Sequence, residues 1–256
     1  MSQTSTPASM PTLFQTDLFM PSYQPREGAN WFLSVSPLNL GAGYWSGGVL
    51  IQNMAVLARK EADGRSSTWM SLSAREVESQ ELGCRAAVGD TVVMGLGMGW
   101  AAANTALRPE VTRVTVVERD PEIIGLIDEL GIFAQLPPEA AAKISVIEGD
   151  AMSYTPAAPA DTLLADIWMP LNVEGRVAQV QRMAANTGAR RVYFWGQEMD
   201  IARRANELGL DPLDAAGLAR IVDEFALPLI GPEMPAYPAL IAAAAKKWLK
   251  DVDGNP

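Results

Sequence analysis

Four stretches in the middle of the chain set glycines or carboxylates at the ends of apolar runs. VVMGLGMGW (92–100) ends an apolar run with glycines at 95, 97 and 99. Glycine tolerates backbone angles closed to other residues there and lets a ligand approach the main chain closely. VTVVERDPE ends a second apolar run with Glu118, 23 positions after Gly95, where nucleotide-binding sheets place an acid against ribose hydroxyls. ISVIEGDAMSY and LLADIWMP put Asp150, Ala151 and Asp166 in the same relation to their own apolar runs. A dinucleotide fingerprint needs a third small residue at position 100; the residue there is Trp100, which argues against a dinucleotide.

Composition narrows the chemistry further. The 256 residues include no histidine, so the Ser/His/Asp and Cys/His arrangements are absent and any proton transfer falls to carboxylate, tyrosine, lysine or water. Cys84 is the single cysteine, which excludes an intrachain disulfide and thiolate metal sites and fits a reducing compartment. Thirty acidic against twenty basic residues give a net charge of -10, which repels nucleic-acid phosphates. Lys246, Lys247 and Lys250 form the only cationic cluster and read as a solvated helix face. The start MSQTSTPASMPTLF shows no cationic leader, and no apolar stretch approaches the ~20 residues of a membrane span. A cytoplasmic protein acting on a small molecule, with no nucleic-acid or membrane partner, is the expectation.

These residues need a scaffold that brings strand ends together. Residues 1 to about 30 read as a Ser/Thr/Pro-rich arm over the surface, and residues 31–72 as short strands and turns, with QNMAVLARKEA equally able to be helical. Ser73 stands as an N-cap with Glu76 as its capping-box partner, opening a helix to about Val88. Strands then follow over 91–95, 114–118, 143–149, 161–167 and 191–196, separated by helical periods. Apolar runs of four to six residues alternating with helices imply a parallel sheet covered on both faces. From about Asp200 the chain reads as helices. The expected division is an N-terminal arm and small strand-rich segment (1–72) followed by a doubly wound α/β domain (73–256), Rossmann-like and mainly parallel, with a helical C-terminal extension.

From Ser73 to Gly196, the order of acidic helix, G-x-G-x-G turn, VVERDPE, EGDA and LLADIWMP resembles the class I S-adenosylmethionine (SAM)-dependent methyltransferases, in their spermidine-synthase-like branch. The resemblance implies SAM as cofactor, held by Gly95, Gly97, Met98, Gly99, Glu118, Arg119, Asp150 and Ala151. In that superfamily the acid after the third strand accepts from the adenine amino group, the role implied for Asp150. Aminopropyl transfer fits poorly, because Met98 and Met169 stand where the polyamine-specific members carry acids.

Methyl transfer from a sulfonium needs mainly alignment. Asp166, at the end of the fourth strand, is the candidate base, and Trp168, Trp195 and Glu198 on the same rim are candidate substrate contacts. Asp166, Gln197 and Glu198 offer oxygen ligands of the kind Mg²⁺ uses, although a metal-free site is expected. Three readings compete: a SAM-dependent methyltransferase on a small molecule, an aminopropyltransferase-like enzyme with altered substrate, and a non-catalytic SAM or nucleoside binder. The helical tail either shapes a lid or forms an oligomer interface.

Overall fold

The computed structural model describes residues 11–249, which fold into two five-stranded sheets and eight α-helices. The first sheet contains β1 (Thr12–Leu13), β2 (Arg26–Glu27), β3 (Trp31–Ala42), β4 (Gly48–Lys60) and β5 (Ser66–Ser71). β3 and β4 form an antiparallel hairpin running from Trp31 opposite Arg59 to Ala42 opposite Gly48. β1 and β5 both pair with the far edge of β4, and β2 with β3. Segment 31–72 is therefore dominated by two long strands where short ones were expected. QNMAVLARKEA lies largely on β4 and is not helical. Its alternation is disturbed because Asn53 adopts φ 50° and a register shift against β5 falls between Leu57 and Ala58, both of which are buried. Such an irregularity turns successive apolar residues inward and mimics a helical period.

The second sheet alternates with helices: α1 (Ala74–Ala86), β6 (Gly89–Met94), α2 (Trp100–Ala106), β7 (Val111–Glu118), α3 (Pro121–Glu129), α4 (Pro138–Ala141), β8 (Ile144–Glu148), β9 (Thr162–Ala165), α5 (Arg176–Thr187), β10 (Arg191–Phe194), α6 (Gln197–Glu207), α7 (Ala215–Phe225) and α8 (Tyr237–Trp248). Its order is β10-β9-β6-β7-β8 with every pair parallel. Successive side chains enter different cores. Val93, Val116 and Leu164 pack with Val77, Ala102 and Ile127 of α1 to α3, whereas Val92, Val117 and Leu163 pack with Val180, Ile201 and Leu218 of α5 to α7. Burial on both faces is why these strands read as unbroken apolar runs. The strand order reverses at β6, flanked by β7 and β9, and ligands of such sheets sit beyond the C-terminal strand ends at that reversal.

Sheet one is fastened over this position. Glu122, in the first turn of α3, accepts from the backbone N–H groups of Asn30 (2.7 Å) and Trp31 (3.0 Å), and Asp120 accepts from the Trp31 indole N–H (2.8 Å). The tail helices pack against the opposite face through Ile221, Tyr237 and Ile241. Within the tail, the N–H of Val192 donates to the Pro228 carbonyl and that of Ile230 to the Val192 carbonyl, adding one parallel bridge at the β10 edge that a purely helical reading did not anticipate. Lys247 is not a solvated cation: its ammonium donates to the carbonyls of Trp45 (2.6 Å) and Ser46. Lys250, like the first ten residues read for a leader, lies outside the described residues. Among the described residues, no helix is long and apolar enough to cross a membrane.

Candidate functional site

A cavity of about 510 Å³ opens between the first sheet and the C-terminal ends of β6, β7, β8 and β9, within the ~300–1,000 Å³ typical of small-molecule sites. Gly95, Gly97, Glu118, Arg119, Asp150, Ala151, Asp166, Trp168 and Trp195 all line it. Nine of the twelve residues singled out from sequence thus meet around one space.

The floor is the glycine turn. Gly95 (φ +95°) and Gly97 (φ +52°) lie in the left-handed region, and a Cβ on Gly95 would stand 2.1 Å from the Asp166 carbonyl oxygen. The turn therefore depends on glycine to bring β6 and β9 close at their ends. Glu118 accepts from the N–H of Leu96 (2.9 Å) with one carboxylate oxygen and from that of Asp120 (2.9 Å) with the other. This fixes the carboxylate at the mouth of the crevice and leaves a further lone pair on each oxygen for hydroxyl donors. Asp150 accepts from the Met152 N–H (2.9 Å) through Oδ1.

The strongest electrostatic feature involves a residue that sequence reasoning assigned elsewhere. Ser73 does cap α1, accepting from the Glu76 N–H at 3.3 Å, but the Glu76 side chain does not return to Ser73. It lines the cavity, 5% exposed. The Gln80 amide donates both to Glu76 Oε1 (2.5 Å) and to Asp166 Oδ2 (2.9 Å), so one amide clamps two carboxylates together. Burial pushes Glu76 up to about 7, against the pull of Gln80 and Arg75. Burial and the Glu76 charge together hold Asp166 well above its ordinary range, with Arg176 and Gln80 acting in the opposite direction. Two carboxylates this close resist double ionisation, so the pair tends to retain one proton near neutrality. The available signal was spacing: Glu76 and Gln80 stand four residues apart, on one helix face.

Three expected site residues do not line this cavity. Met98 lies one layer behind, fully buried, against a void of about 30 Å³, and its carbonyl accepts from the Tyr23 hydroxyl (2.8 Å). Gly99 (φ +79°) serves packing: a Cβ there would press on Ile132 and Phe133 at 3.3 Å. Glu198, expected at the rim, is sealed in the interior and accepts from the hydroxyls of Tyr44 (3.0 Å), Tyr193 (3.1 Å) and Tyr237 (2.7 Å). The reason is Gly196, whose left-handed turn (φ +81°) starts α6 immediately after β10 and carries Glu198 inward. Gln197 is likewise buried, donating to the Ile230 carbonyl and the Tyr237 hydroxyl, so the Asp166, Gln197 and Glu198 oxygens do not share one site. Trp168 and Trp195 reach the cavity, but the Arg176 guanidinium lies over both rings, 5.3 and 5.8 Å from their centroids.

No protein-family model matches the chain, and no curated protein matches it either. Among solved structures, it is similar to the glycopeptide N-methyltransferase MtfA complexed with SAM (16% identity, 43% of this chain and 47% of that one, TM-score 0.34). It is also similar to the methyltransferase domain of bacterial CtHen1-CN (14% identity, 46% and 65%, TM-score 0.36). A third is a putative methyltransferase from Thermoplasma acidophilum (21% identity, 39% and 40%, TM-score 0.30). The matched region spans about half the length of the MtfA chain.

Proposed function

We propose that the cavity binds SAM and that the protein is a methyltransferase acting on a small molecule. The observation that carries this reading is the convergence of the Gly95–Gly97 turn, Glu118, Asp150 and Asp166 at the ends of four neighbouring parallel strands around one cavity. The donor set suits the cofactor: Glu118 for the ribose hydroxyls, Asp150 for the adenine amino group, and the glycine turn for the methionine portion. In this reading Arg119 and Ala151 remain cofactor contacts, while Met98 and Gly99 support the turn from behind. The acceptor's N–H or O–H gives its proton to Asp166 as the nucleophile attacks the methyl carbon. Bound there, SAM would supply the electrophilic methyl group and would be released as S-adenosylhomocysteine (SAH).

A second reading gains from Glu76. The polyamine-specific pattern lacks its second acid at Met169, yet α1 supplies another carboxylate beside Asp166, which restores a partner for a cationic amine. Calorimetry against SAM, SAH, decarboxylated SAM and NAD separates these readings. SAM and SAH should bind, and NAD should not; tight binding of decarboxylated SAM alone would move the reading to aminopropyl transfer. Glu118→Ala and Asp150→Ala are each expected to weaken SAH about tenfold, the loss of one hydrogen bond to a charged group. Unchanged affinity in both variants would displace the cofactor from this cavity.

A further inference from the structure

We propose that the acceptor of this reaction is a small planar anion, an aromatic carboxylate or an equivalent acid, held against the first sheet by Arg59 and Arg75. This rests on the reading of the cavity as a SAM site. The argument begins with charge pairing. Of the chain's fifteen arginines, eleven form ion pairs with carboxylates. Among the described residues Arg59, Arg75, Arg119 and Arg182 do not, and the first three of these line the cavity. In a chain with ten more acids than bases, guanidiniums left without carboxylates around one space mark where an anion is to be supplied by something else.

The cavity is also polarised. Its strand-end floor carries four carboxylates, Glu118, Asp120, Asp150 and Asp166, against the single guanidinium of Arg119, and suits the adenosyl portion and the departing proton. The wall formed by the first sheet carries Trp31, Trp69, Thr68 and Ser71, with Arg59 as its only charge, and Arg75 stands at its edge on α1. Trp31 and Trp69 meet edge to face at 5.5 Å. The Arg59 guanidinium lies over the Trp31 ring at 5.7 Å and that of Arg75 over Trp248 at 5.0 Å. Each cation is therefore positioned by an aromatic face and, among the described residues, is paired with no carboxylate, which leaves its donors for a ligand. Arg75 is also close enough to Glu76 to lower its proton affinity, but the two form no ion pair. A ring lying along the two indoles with its acid toward Arg59 would share the cavity with the Glu76–Asp166 pair, which lines the same space and can take the proton of the ring's nucleophile.

The test uses three near-isosteric probes titrated into the full-length protein saturated with SAH: 4-hydroxybenzoate, 4-hydroxybenzamide and 4-hydroxybenzylamine. The benzoate is expected to bind at least about tenfold more tightly than the amide, and Arg59→Met or Arg75→Met to remove most of that difference. Arg59→Lys and Arg75→Lys, which keep the charge, should restore part of it. Equal affinities for the three probes, no binding of the benzoate, or preference for the benzylamine would overturn the proposal; the last outcome would give the site to a cation held by Glu76 and Asp166. SAM and decarboxylated SAM, titrated into the Met variants, should bind as they do to the parent protein. A loss confined to SAM would assign the guanidinium to the cofactor's own carboxylate and equally overturn it. If SAH fails to bind at all, the cofactor reading falls by itself, and the same probe series on the ligand-free protein still decides whether the arginine wall selects an anion.

Discussion

Asp166→Asn is expected to lower turnover by roughly two to four orders of magnitude, the usual contribution of a positioned proton acceptor, while cofactor affinity stays near that of the parent. The substitution preserves shape and still offers the Gln80 amide an acceptor at 2.9 Å, so the clamp on the strand end should survive. What is lost is the carboxylate that takes the acceptor's proton in the proposed reaction. Asp166 belongs to a pair that shares Gln80 with Glu76, and burial together with the neighbouring charge holds it well above the ordinary range for an aspartate. A carboxylate shifted in this direction is a stronger base than a solvated one and sits closer to the operating pH. The measurement is SAH release from metabolite pools by parent and variant, with SAH calorimetry run in parallel. A variant that releases SAH at the parent rate would show that the transfer proceeds by alignment alone. A variant that no longer binds SAH would show that Asp166 holds the cofactor instead.

The strand-end half of the candidate site was legible because its residues follow directly from local rules. Each of Gly95, Glu118, Asp150 and Asp166 stands immediately after an apolar run, and a parallel sheet gathers all such positions at one edge. No long-range pairing had to be guessed for them to meet. The same rule misplaced Glu198, which also follows an apolar run. There the left-handed Gly196 starts the next helix at once, and the Arg176 side chain fills the space behind it, 1.6 Å from where a Cβ on that glycine would lie. Nothing in the local sequence shows that Tyr44 and Tyr237, from two distant segments, join the neighbouring Tyr193 on this one carboxylate.

The half of the cavity formed by the first sheet was largely illegible for a different reason. Trp31, Arg59, Thr68 and Trp69 reach the cavity only because the first sheet folds over the second, an arrangement fixed by contacts across some ninety positions such as Trp31 to Asp120 and Asn30 to Glu122. The hairpin itself was obscured where Asn53 and the shift at Leu57 break the period of two. The tail, left open as lid or oligomer surface, contributes nothing to the cavity lining among the described residues, so the cover over the site comes from the first sheet.

Glu76 is the residue whose sequence assignment changes most, and its ionisation should be visible in stability. Its capping-box assignment gave it Ser73 as partner; in the fold it is desolvated beside Asp166, and its proton affinity rises from the ordinary 4.5 to about 7. A group shifted upward favours the folded chain in its protonated form. That stability is fully present below about pH 4.5, is lost progressively as pH rises, and is gone once the folded-state value near 7 is passed. Glu76→Gln resembles the protonated acid at every pH and should escape the loss. The variant and parent should therefore melt together near pH 4, and the variant should gain steadily between pH 4.5 and 7. Above pH 7 the gap should level off at up to ~3 kcal/mol, from a shift of about 2.5 units at 1.36 kcal/mol each. Asp166 reinforces the sign, since removing the Glu76 charge also relieves the repulsion that holds Asp166 up. Arg75 works against it by stabilising the Glu76 anion, so ~3 kcal/mol is a ceiling. Denaturant or thermal unfolding of both proteins from pH 4 to 8.5 decides the matter. A gap that stays constant across that range would mean that Glu76 carries its charge throughout, and the shared proton assigned to the Glu76–Gln80–Asp166 cluster would not exist.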